Sequence, residues 1–208
     1  MPKRDQLLSE LSAENDVGVF LMVQMDGVPE TLQLMIATTQ LDEQVGGLRD
    51  RGQYVIRAVG VQEHRVAVGL FGSLQFLEAH PLLEQYNTAP VGVFFKGQPD
   101  DVNDLLLDIM QAYSSTFGLW RTFPQYMNIA QPLVDLLGSG GGFLGQMPKP
   151  LAERVAKALD HHSMEHKLVE EEAPGEDEHG RSQLYKLLVI DSSYVIALDF
   201  TVDELGKV

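Results

Sequence analysis

Three of the six histidines fall within seven residues, Asp160-His161-His162-Ser163-Met164-Glu165-His166. On a helix, His162 and His166 lie one turn apart and present imidazoles to the same side, a spacing suited to zinc or another divalent metal. Glu165 lies at the edge of that face and completes a candidate metal set of His162, Glu165 and His166. A metal held there could activate water, so a metal-binding protein or metal-dependent hydrolase is one reading. The same face has a second reading. Leu151, Val155, Leu159, His162, His166 and Val169 form one continuous helical stripe, so both histidines also extend an apolar surface. Buried imidazoles there need partners, at about 1–3 kcal/mol for each polar group left unmet.

The string His162-x-x-Glu165-His166 resembles the H-x-x-E-H pattern of inverzincin metalloproteases, where two histidines bind zinc and the glutamate activates water. The resemblance spans five residues and extends no further along the chain. Asp160-His161-His162 also spells the triplet of a phosphoesterase family, whose further strand-end aspartates are not found.

A second constellation is aromatic. Tyr113, Phe117 and Trp120, with Phe123, Tyr126 and Met127 behind them, include the single tryptophan. The i, i+4, i+7 spacing suits a stripe packing helices on a sheet, or an apolar pocket or partner surface with Arg121 orienting an anionic group. Gly138 to Gly145 does not follow a strand and lacks Gly-Lys-Ser/Thr, so it is not a phosphate loop. It reads as a flexible connector whose Phe143 and Leu144 could anchor a partner. Glu170 to Glu172 with Glu176, Asp177 and Glu178 reads as a solvated acidic face.

Whole-chain properties narrow the classes. The 208 residues carry 30 acidic and 15 basic side chains, a formal net charge of −15. Such a surface repels nucleic acid and anionic membranes. Cysteine is absent, which removes disulfides and thiolate chemistry and fits a cytoplasmic protein. No signal peptide or membrane-spanning stretch is read from the sequence.

The elements that must position these residues come in blocks. A short helix is expected over 4–14. Strands follow at Val17–Met25 and Leu32–Ala37, joined at Asp26-Gly27, with a loop or short helix over 39–50. Tyr54–Val61 and Arg65–Phe71 are expected to form a hairpin turning at Gln62-Glu63-His64, and Val91–Phe95 a fifth strand. Pro99, Asp100 and Asp101 then open a helix carrying Val102, Leu105, Leu106, Ile109, Met110 and Tyr113. A second helix covers 129–137. A third runs from near Pro150 to about Glu171, followed by an exposed, mobile loop over Ala173–Arg181. Leu184–Asp191 and Tyr194–Thr201 form a last hairpin.

Strand block, helical block and strand block predict an α+β fold. One antiparallel sheet is expected from strands in 17–96 and 183–201, covered by a helical layer from 98–171. The chain then reads as a single domain, 1–208, with a helical insertion at about 97–172. Functionally it reads as a non-enzymatic protein-binding or assembly module of a soluble, bacterial-type cytoplasmic protein. A protein partner or a homo-oligomer is expected, with no nucleic acid, no membrane insertion and no cofactor. The alternatives are the divalent metal at His162, Glu165 and His166, or a small-ligand binder lined by Tyr113, Phe117 and Trp120.

Overall fold

The alternation of apolar and polar residues in the first eighty residues builds most of one antiparallel sheet. The computed structural model describes residues 3–25, 30–42, 46–171 and 184–205. Helix α1 (Lys3–Glu10) is followed by β1 (Asp16–Met25), β2 (Thr31–Asp42), β3 (Gly47–Arg65), β4 (Leu70–Phe71) and β5 (Leu74–Leu77). Near the other end, β9 (Lys186–Ile190) and β10 (Ser193–Leu205) complete a seven-stranded sheet of order β4-β1-β2-β3-β10-β9-β5. Leu32, Leu34 and Ile36 of β2 sit opposite Ala58, Ile56 and Tyr54 of β3. These side chains all point to one buried face, to which α1 contributes Leu7 and β10 contributes Val195 and Ala197. The last hairpin joins the first strand block, β10 pairing with β3 and β9 with β5.

Residues 81–183 have a sheet and a core of their own. Their elements are α2 (Pro81–Asn87), β6 (Pro90–Lys96), α3 (Val102–Phe117), α4 (Leu133–Gly138), β7 (Gly141–Pro148), α5 (Lys149–His161) and β8 (Glu165–Glu170). Strands β7, β6 and β8 form a three-stranded antiparallel sheet with β6 in the centre. The inward residues of β6, Val91, Val93 and Phe95, pack with Leu105, Ile109 and Tyr113 of α3 and Leu151, Val155 and Leu159 of α5. Helix α3 begins where the Asp101 carboxylate accepts from the backbone N–H groups of Asn103 (2.7 Å) and Asp104 (3.4 Å), a side-chain N-cap two residues beyond the proline signal. By contacts the chain divides into these two compact units, 1–80 with 184–208, and 81–183.

The α+β class and the antiparallel pairing agree with the sequence. The assignment of every strand to one sheet does not. The strand at 90–96 belongs to the second sheet, and the block at 98–171 contains strands β7 and β8 as well as helices. The hairpin expected at Gln62-Glu63-His64 is also corrected, since β3 runs straight through it with Val61, Glu63 and His64 opposite Ala197, Ile196 and Val195. Those three residues lack the Gly, Asn, Asp or Pro that a tight turn requires. Of the expected loop or short helix at 39–50, residues 39–42 and 47–50 are strand, the ends of β2 and β3. The turn at Asp26-Gly27, the loop at Ala173–Arg181 and most of the acidic run lie outside the described residues. Among the described residues, no helix is long and apolar enough to cross a membrane.

Candidate functional site

Helix α5 stops at His161, ten residues short of the expected end. The residue that stops it is Ser163, with φ of 57° in the left-handed region. Its N–H donates to the Asp160 carbonyl and that of Met164 to the Leu159 carbonyl, both at 3.0 Å. This is a Schellman closure, with Met164 buried against the same core as Leu159. Residues 165–170 then become strand β8.

That stop decides where the histidines go. His162 is the helix C-cap, while His166 lies in β8, so they do not share a helical face. Each member of the expected metal set has a different partner. His162 Nε2 lies 3.0 Å from Asp108 Oδ2, and His166 Nδ1 lies 3.2 Å from Asp160. Glu165 lies 3.5 Å from Lys96 across the β6–β8 pair. The structure thus pairs His162, Glu165 and His166 with three separate partners.

The grouping that does converge is Asp108, His161 and His162, one ligand atom from each lying within 4.8 Å of the others. Asp108 Oδ2 takes His161 Nδ1 at 2.9 Å as well as His162 Nε2. The hydrogen bond from His161, followed by that from His162, holds the Asp108 carboxyl below the usual carboxylate range. His161 is largely exposed and His162 largely buried, at 77% and 12% side-chain exposure. Beside the cluster, a groove of about 510 Å³ between α3 and α5 is lined by Gln111, Ser115, Arg154 and Lys157, with Asp108 and His161 at its wall.

The aromatic stripe is mostly interior. Tyr113 and Phe117 are 2% exposed, with ring centroids 5.2 Å apart, and Tyr113 also packs against Phe123. The Tyr113 hydroxyl donates to the Thr122 carbonyl at 3.1 Å. Arg121 is buried and its charge acts on the Tyr113 phenol. Trp120 is half-buried. Leu144 is fully buried while its neighbour Phe143 is exposed, as alternate residues of a strand must be.

Phe143 belongs to a second surface, the outer face of the three-stranded sheet. It sits opposite Phe94 of β6, the two centroids 5.1 Å apart. Gly92 lies beneath both rings, since a Cβ there would meet Phe94 at 3.5 Å and Phe143 at 3.6 Å. With Val169, Gln146 and Glu171 they surround a shallow depression of about 330 Å³. Phe94, Phe143 and Val169 keep 42%, 38% and 38% of their surface exposed, which leaves a contiguous apolar face open to solvent.

Sequence reasoning missed Asp108, Phe94 and Gly92, and it read Val169 as part of a helical stripe where the structure has strand β8. Period-2 alternation carried a signal for Phe94, because Val91, Val93 and Phe95 on the inner face leave it outward. Asp108 had none, because its role depends on how α3 packs on α5. Comparison with known protein families, curated proteins and solved structures finds no match.

Proposed function

We propose that this chain is a non-enzymatic assembly module that self-associates through the outer face of its three-stranded sheet. The observation that carries the reading is the exposed Phe94–Phe143 cross-strand pair over Gly92, continued by Val169. Covering the open part of each ring removes roughly 60–100 Å² of apolar surface from water, about 2 kcal/mol per ring at 25 cal/mol per Å². Aromatic anchors of this kind dominate protein interfaces.

A second copy is the occupant favoured by charge. On the same face, Lys167 lies beside Phe94 in β8, whereas Glu171 lies beyond Val169 at the other end. A two-fold axis that crosses the sheet at Val169 and Gly92, midway between the two charges, sets Lys167 of one copy against Glu171 of the other, the self-complementarity an isologous contact needs. The pairing supplies local complementarity in a chain whose net charge of −15 otherwise opposes self-association.

Light scattering across a wide concentration range tests the reading. The wild-type chain should dimerise reversibly. Phe94→Ser with Phe143→Ser should weaken the dimer by well over tenfold, since two rings worth about 2 kcal/mol each are lost. Lys167→Glu should weaken it and Glu171→Lys in the same chain should restore it. A chain that stays monomeric throughout overturns the proposal.

A further inference from the structure

We infer that Asp108, His161 and His162 bind one divalent transition-metal ion, with zinc the best match to the donor set. The three side chains offer two imidazole nitrogens and one carboxylate oxygen, the combination found where zinc keeps an open fourth position. Imidazole donors select zinc, cobalt, nickel and copper over the hard cations magnesium and calcium, which prefer oxygen.

The geometry is close to what an ion requires. Tetrahedral zinc with bonds of about 2.0–2.2 Å places its donors roughly 3.2–3.5 Å apart. Asp108 Oδ2 already lies 2.9 Å from His161 Nδ1 and 3.0 Å from His162 Nε2, so an ion needs these pairs to open by only a few tenths of an ångström. The imidazole rings stand 5.2 Å apart at 70°, converging on the carboxylate without stacking. His161 is the side chain with room to adjust, being 77% exposed.

The supports are rigid. Asp108 precedes Ile109, which is fully buried, and His161 and His162 follow Leu159, also fully buried. The Schellman closure holds the backbone of residues 159–164, so the two histidines sit on a fixed helix end facing α3. Donors held by packed elements lose little entropy when the ion arrives. Asp108 and His161 also line the α3–α5 groove, together with Arg154 and Lys157, whose charges suit an anionic co-ligand.

Calorimetric titration of the untagged full chain with zinc tests this inference, with cobalt as a spectroscopic probe. About one equivalent of zinc should bind, and cobalt should give the intense visible bands of a four-coordinate site. His161→Ala, chosen because its side chain is exposed, should weaken zinc binding at least tenfold. His166→Ala should leave it unchanged, because His166 pairs with Asp160 instead. Far-ultraviolet circular dichroism of each variant checks the fold. Zinc binding as tight in His161→Ala as in wild type, no zinc heat, or an equal heat with magnesium would each overturn the assignment. None of these readouts depends on self-association.

Discussion

Each of the two cores contains a fully buried tyrosine that water cannot reach. Tyr54 is 0% exposed and Tyr113 is 2% exposed. Burial is the main force pushing both phenols above their ordinary value, reinforced by the Glu10 carboxylate at Tyr54 and by Tyr126 at Tyr113. A phenol raised in the folded state contributes stability that is fully present below its unfolded value, about 10. That stability is lost as pH climbs from there toward the folded value, because the unfolded chain ionises first. Each tyrosine should steepen alkaline destabilisation by about 1.4 kcal/mol per pH unit in that window. Denaturant unfolding at several alkaline pH values should show the loss blunted in Tyr54→Phe and in Tyr113→Phe. An unchanged slope in both variants would show that the folded chain ionises them normally.

At the scale of elements, the end of α5 governs more than any other boundary. Ser163 holds a left-handed conformation that costs a non-glycine residue roughly 1–2 kcal/mol. Ser163→Gly should therefore raise stability by about 0.5–1 kcal/mol, after the extra unfolded-state entropy of glycine is counted. Thermal unfolding checks the sign, and a lowered midpoint would mean that the serine side chain stabilises the closure. The same boundary marks the limit of what sequence could reveal. Helix α3 was legible because Pro99 and two acids precede a clean apolar spacing, although the helix itself starts at Val102 with Asp101 as its N-cap. Past residue 161, His162, His166 and Val169 keep a helical spacing by coincidence, and a serine rather than a glycine marks the stop. Strand β7 was hidden for a related reason. Glycine signals both flexibility and close backbone approach, and in β7 it is the second. A Cβ on Gly145 would fall 2.2 Å from the Tyr126 carbonyl oxygen. Which segment approaches a glycine is a tertiary fact, so the run from Gly138 read as a connector. The histidine cluster was visible as a composition. Its partner Asp108, more than fifty residues away, was not.

For the whole molecule, the two sheets raise a thermodynamic point about how the chain folds. Every strand of the three-stranded sheet comes from residues 81–183, and the core of that unit is likewise assembled within it. The segment departs after β5 and returns before β9, two strands paired with each other, Leu77 opposite Leu187. An insertion between neighbouring strands leaves the seven-stranded sheet complete without it, since β3 pairs with β10 and β10 with β9. A segment of about 100 residues can bury between roughly 60% and 70% of its unfolded surface, enough for an independent core. Residues 81–183 produced alone should therefore unfold in one cooperative transition. The near-ultraviolet signal of Trp120, the single tryptophan, should be that of a residue in fixed surroundings. The remaining segments, 1–80 and 184–208 joined by a short glycine-rich linker, should fold as well. If either piece shows only molten, non-cooperative melting while the full chain melts cooperatively, residues 1–208 are one thermodynamic domain with 81–183 as an insertion that needs its host.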